Sequence, residues 1–121
     1  MMNKFFFDSY AIIEILKGSE SYQKYANAEF VITKLNLFEV YYRMLQDSQE
    51  KADLFLSAYA QHAVDFDETV IAKACKFRLE NKRNSFSMAD CIGYVLALKN
   101  SLKFITGYMQ FKSMPNVEFA K

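Results

Sequence analysis

Three apolar runs, "KFFFD" at the start, "EFVIT" around residue 30 and "KFITG" near the end, are too short for core helices. Each is followed or separated by longer stretches of helical periodicity. Runs of this kind read as strands buried on both faces, and their alternation with helices predicts a mainly parallel central sheet covered by helices on each side. The helical stretches are "SYAIIEILKG", stopped by Gly18, a short polar helix at "SESYQKYA", two helices over about Lys34 to Asp47 and Gln49 to Ala60, "DETVIAKACKFRLENK", and "SMADCIGYVLALKN" after a break at "RNSF". "HAVDF" and "VEF" are expected as further strands.

At 121 residues and 52% apolar composition, the chain fits one domain, 1–121, able to bury a core without disulfides or a structural metal. No repeat, linker or low-complexity tract divides it, and its single proline, Pro115, lies close to the end. A formal charge of +1 advertises neither nucleic acid nor membrane. Cys75 and Cys91 lack C-x-x-C spacing and sit in apolar helical patterns, which predicts buried thiols in a reduced, cytoplasmic setting. Asp8 cuts the opening apolar run short of a signal-peptide core or membrane span, so a soluble intracellular protein is expected.

In such a fold the carboxyl ends of the strands and the first turns of the following helices share one edge, where ligands bind. Asp8 ends the first strand there, Glu39 lies in the second turn of the helix after "EFVIT", and Tyr108 follows the Thr-Gly turn after "KFI". Asp90 joins them if the second of the two intervening helices returns the chain to the sheet. Periodicity does not say which one does.

Each acid also has an ordinary reading. Asp8 is a good N-cap for the helix beginning at Ser9 or Tyr10. Glu39 shares a stripe with Asn36, Arg43 and Gln46, the solvated face of an amphipathic helix, where Arg43 could pair with it. Ser87 and Asp90 have capping-box spacing. Yet Asp90 is the sole charge between Arg83 and Lys99, in a helix apolar on every side, so its carboxylate needs a partner.

Three carboxylates at one edge repel one another unless a cation sits between them, and all-oxygen ligands suit Mg²⁺ or Mn²⁺. The lone His62, at the start of "HAVDF", reads as structural or surface rather than as a zinc ligand. With no Gly-rich phosphate loop, no G-x-S-x-G elbow and no Cys/His pair with a third member, metal-assisted hydrolysis is the remaining chemistry.

The order "FFFDSYAIIEILKG", "LNLFEVYYRM", "SMADCIGYVLALKN" and "FITGYMQFKSMPNVEF" resembles the PIN domain, in particular the small VapC-like toxins of prokaryotic toxin–antitoxin pairs. The resemblance covers nearly the whole chain and implies a three-layer α/β/α sandwich. It also implies metal-dependent ribonuclease activity with Mg²⁺ or Mn²⁺, and it brings Asp90 to the shared edge. Asp8, Glu39 and Asp90 match the family's most regular metal-site acids, and Ser9, Ser87 and Thr106 the small polar residues beside them. Where the family commonly reads "TGD", this chain reads "TGY". Tyr108 thus takes the place of a fourth carboxylate, and a phenol is a poor ligand for a hard cation.

One ion on three acids is still feasible, with Gln110, Asp65 or Asp67 as candidate replacement oxygens, although Asp67 with Glu68 reads more simply as a helix start. Lys82 and Arg83 read first as a solvated helix end and second as contacts for an RNA backbone. The expected protein is a toxin-type endoribonuclease, weakened to whatever extent Tyr108 impairs the metal site. It would act on RNA, pair with an antitoxin and form a symmetric homodimer. A PIN-fold module that binds antitoxin or RNA without cleaving is the second reading, and another metal-dependent phosphohydrolase the third.

Overall fold

A computed structural model describes residues 4–121. Four strands, β1 (Phe5–Phe7), β2 (Phe30–Val31), β3 (Lys103–Thr106) and β4 (Val117–Phe119), form one sheet in the order β2-β1-β3-β4. Every pairing is parallel. Five helices accompany them: α1 (Ser9–Leu16), α2 (Lys34–Leu45), α3 (Gln49–Tyr59), α4 (Glu68–Glu80) and α5 (Met88–Lys99).

Successive strand residues point to opposite faces, so the triple phenylalanine of β1 serves two cores at once. Phe6 and its register partner Phe104 pack beneath α5 and the buried Val70 and Ala74 of α4. Phe7 and its partner Ile105 pack on the other face against Ile12 of α1, Val40 of α2 and Phe55 of α3. The result is the expected three-layer sandwich. α5 lies across the centre of the sheet and is buried from Cys91 to Ala97, which matches its lack of a polar face. α1 ends where Gly18 adopts a φ of 73°, a left-handed conformation that a side chain disfavours.

Four expectations are corrected. "HAVDF" is not a strand: residues 60–62 form a 3-10 turn, and only a single bridge, Ala63 to Ile32, extends the sheet beyond β2. His62 closes that turn, its ring stacked on Phe30 at 4.3 Å between centroids. The short polar helix is a 3-10 helix, Glu20–Tyr25, whose Tyr22 and Tyr25 are buried against the sheet. Cys91 is buried as expected but Cys75 is exposed, because α4 turns Val70 and Ala74 inward and Cys75 is the next residue around the helix. Asn36, assigned to the solvated stripe of α2, is buried.

Candidate metal and nucleic-acid cleft

Asp8 follows β1 directly, and its backbone is extended before α1 begins, so its carboxylate faces the open first turn of that helix. Oδ1 accepts a hydrogen bond from the Ala11 amide at 2.8 Å. The cap is therefore real, but it uses only one oxygen. Oδ2 accepts from the hydroxyl of Thr106 at the end of β3. The Phe7–Ile105 register places the two residues side by side, and the Asp8 amide donates to the Ile105 carbonyl at 3.2 Å. Thr106 Oγ1 in turn accepts from the Tyr108 amide at 3.0 Å.

Between Thr106 and Tyr108 stands Gly107, where a β-carbon would come within 2.1 Å of the Tyr10 ring. Only glycine lets the turn pass that close to α1.

Glu39 is held from a different direction. At the start of α2, Asn36 Oδ1 accepts from the Thr33 amide at 2.9 Å and from the Thr33 hydroxyl at 3.0 Å. Asn36 Nδ2 donates to Ser9 Oγ at 3.1 Å, and Ser9 Oγ donates to Glu39 Oε1 at 2.5 Å. The buried amide thus connects the cap of α2, the first residue of α1 and the Glu39 carboxylate. The T-x-x-N spacing of Thr33 and Asn36 parallels the S-x-x-D spacing of Ser87 and Asp90, and that signal could have singled out Asn36.

Asp90 sits in a reciprocal capping box: its Oδ2 accepts from the Ser87 amide at 2.8 Å, and its own amide donates to Ser87 Oγ at 3.0 Å. Because α5 is the helix that returns the chain to β3, this end of α5 faces the same edge as Asp8.

Asp8, Glu39 and Asp90, with Ser9, Ser87 and Tyr108, line one open cleft of about 410 Å³. Burial is the main reason the Asp8 carboxyl is pushed up to about 7, with Asp90 and Glu39 adding repulsion and the Thr106 and Ala11 donors opposing it. Asp90 is also raised, first by burial and then by Glu39, against the pull of the Ser87 donors. The ion pairs among the described residues are Lys17–Glu14 and Lys99–Asp67, so none neutralises these acids, Arg43 included. Among the described residues no group of three His, Cys, Asp or Glu side chains is arranged to hold a metal ion. The carboxylates face one cleft with Asp8 Oδ1 and Oδ2, Glu39 Oε1 and Asp90 Oδ2 turned toward the hydroxyls and amides just named. As a donor set they nonetheless suit a hard divalent cation, being anionic, all-oxygen and without a positive partner.

Tyr108 lines the cleft but turns its hydroxyl away, within 3.4 Å of the Asn84 and Ser85 carbonyls. Its ring meets Phe86 and Phe111 edge-on. It ties the turn after β3 to the loop before α5.

The other candidates do not reach the cleft. Asp65 and Asp67 line a separate depression with Lys99 and Asn100, at the far end of α5 from Asp90, and Asp67 caps α4 through the Val70 amide. Gln110 is exposed, and its backbone carbonyl accepts from Asn84. Lys82 and Arg83 are exposed in a 3-10 turn after α4 and are not among the cleft residues. Conversely, sequence reasoning passed over Phe38 and Tyr42, two exposed aromatics that line the cleft beside Glu39.

A parallel sheet between helical layers, with acids gathered where β1, α2 and α5 meet, defines a class of α/β proteins with an acidic cleft at the carboxyl edge of the sheet. The chain belongs to the PIN domain family, whose model matches residues 5–115. Among solved structures, it is similar to a toxin–antitoxin complex from Klebsiella pneumoniae, with a TM-score of 0.74, 18% identity, and 95% of this chain and 96% of that one covered. It is also similar to VapBC2 from Rickettsia felis bound to a DNA fragment from its promoter, with a TM-score of 0.71, 18% identity, and coverage of 97% and 98%. At that identity the likeness shows the fold. No curated protein matches the chain. Among the described residues no helix is long and apolar enough to cross a membrane.

Proposed function

We propose that this protein is a metal-dependent endoribonuclease of the toxin type, acting at the cleft formed by Asp8, Glu39 and Asp90. The observation that carries the reading is three carboxylates, two of them with raised pKa values, facing one cleft with none of them in an ion pair among the described residues. Asp8, Glu39 and Asp90 would hold Mg²⁺ or Mn²⁺, which when bound supplies Lewis-acid stabilisation of charge on a phosphodiester.

The protein's own part is positioning. Thr106 and the Ala11 amide fix both oxygens of Asp8, and Ser9, oriented by Asn36, fixes one oxygen of Glu39. Ser87 sets the rotamer of Asp90. Prepositioned side chains of this kind lower the cost of assembling the site when substrate arrives. In the reaction, the oxygen of water bonds to phosphorus and a ribose oxygen leaves, so the cut is a hydrolysis.

The similar Klebsiella pneumoniae structure is a toxin–antitoxin complex, which supports an antitoxin as partner; a homodimer is proposed on the prevalence of two-fold homo-oligomers and a cytoplasmic setting on the two free cysteines.

One observation favours a second reading. Tyr108 stands where the resembled family commonly has a carboxylate, which fits a module that binds antitoxin or RNA without cleaving. The deciding measurement is cleavage of single-stranded RNA by the purified chain in Mg²⁺, Mn²⁺ or EDTA. Cleavage is expected with either metal, and Asp8→Asn should lower it at least about 100-fold, the scale of losing a positioned charged group, while leaving the chain folded. RNA binding that survives in EDTA, with no cleavage under any divalent metal, would instead assign the binding module.

A further inference from the structure

We infer that Phe38 and Tyr42 form a stacking platform for the bases of single-stranded RNA at the rim of the carboxylate cleft, with Arg43 beside them for the phosphate backbone. The inference rests on the ribonuclease reading for the identity of its ligand. α2 meets its packing needs with Asn36, Leu37 and Val40, which are buried. Phe38 and Tyr42 are left 74% and 61% exposed. Their i, i+4 spacing puts them about 5–6 Å apart on one face. Both line the same cleft as Asp8, Glu39 and Asp90.

A strand whose phosphodiester lies at those acids must carry its neighbouring nucleotides over this rim. There the exposed rings offer a flat surface that any base can stack on. Arg43 follows Tyr42 directly, lines the cleft and is engaged in neither ion pair of the described residues, so a cation stands ready beside the rings. Exposed aromatic surface next to a free guanidinium is a pairing that suits a single strand.

The chain contains no tryptophan, so Phe38→Trp installs a single fluorescent reporter at an exposed position. In EDTA, an oligoadenylate should quench its emission, and an abasic ribose-phosphate oligomer of equal length should bind about tenfold more weakly, because stacking is lost. Phe38→Ala combined with Tyr42→Ala should weaken oligoadenylate binding about tenfold or more, whereas Phe38→Tyr, which keeps a ring at that position, should retain it. Equal affinity for the base-bearing and abasic strands overturns the platform. So does a double alanine variant that keeps its RNA affinity but no longer assembles with a protein antitoxin, which would give the rings to a protein contact. RNA cleavage without base-dependent binding removes the platform and leaves the nuclease. Base-dependent binding without cleavage under any metal keeps the platform and removes the nuclease.

Discussion

Asp8 and Asp90 both cap the helix that carries them to the carboxyl edge of the sheet, yet the structure holds them in different ways. Asp90 is satisfied within its own first turn, by Ser87 three residues away. Asp8 is satisfied across the sheet, by Thr106 ninety-eight positions away, and around it Ser9, Asn36, Thr33 and Glu39 join α1 to α2. A cap needs one carboxylate oxygen and tolerates exposure. Full burial of Asp8, with a second donor from a distant strand and two other acids nearby, exceeds what capping requires. The long-range half of its contacts is therefore what sets Asp8 apart from a simple cap.

The largest expected effect tests the cost of that burial. Because the folded-state pKa of Asp8 is raised from 3.8 to about 7, the unfolded chain gives up its proton first as pH rises. Between about pH 4 and 7 the native state binds more protons than the unfolded state, so stability falls with rising pH across that window. In metal-free buffer Asp8→Asn should remove the Asp8 share of this slope, leaving the part due to Asp90, and gain on the parent by about 4 kcal/mol from pH 4 to pH 8, following the size of the shift. Urea denaturation at several pH values gives the comparison. Parallel curves for the two proteins would mean that folding leaves the Asp8 carboxyl unshifted, and a parent whose stability instead rises with pH would make Asp8 an ordinary cap.

Much of the fold was legible in the sequence, and the reason lies in particular residues. "KFFFD" and "KFITG" are central strands buried on both faces, so they read as unbroken apolar runs, and α5 declared its burial by having no polar side. "HAVDF" misled because it has the composition of a strand but sits beyond β2, where only Ala63 finds a bridge. At the site, Asp8 and Glu39 were legible as acids placed near strand ends, whereas Asp90 joined them only through the family resemblance, because periodicity does not say which helix returns the chain to the sheet. The T-x-x-N spacing held the cap of Asn36, but its bond to Ser9 was not legible, because periodicity along α2 cannot show a neighbour 27 positions away on another helix.

That hidden contact gives the next effect in size and sharpens the difference between the two halves of the cleft. Asn36→Ala leaves the buried Thr33 amide without its acceptor and frees Ser9, so it should cost about 2 kcal/mol. It should also lower RNA cleavage, since Glu39 loses its oriented hydroxyl partner. Ser87→Ala on the Asp90 side removes only a local cap and should cost about 1 kcal/mol. Thermal or chemical denaturation ranks the two, and equal losses would dissolve the distinction between the long-range and local halves.

The smallest effect concerns the side chain of Tyr108. Its amide is fixed on Thr106 whatever the side chain, while its phenol makes only long contacts to the Asn84 and Ser85 carbonyls at 3.4 Å. Tyr108→Phe keeps the edge-on packing with Phe86 and Phe111 and should change stability by no more than about 0.5 kcal/mol, with RNA cleavage unaltered. Tyr108→Asp is the sharper probe, because it gives up that packing and adds an anionic oxygen at a position whose backbone is already anchored beside Asp8. Affinity in hard-cation sites rises with ligand charge, so Mn²⁺ should bind the aspartate variant more tightly than the parent and the phenylalanine variant equally well. Titration of all three with Mn²⁺, read alongside RNA cleavage, separates a lost ligand from a packing residue. If the aspartate leaves Mn²⁺ affinity unchanged, the position is not a ligand position in this chain. Tyr108 would then act as the clamp between the turn after β3 and the loop before α5.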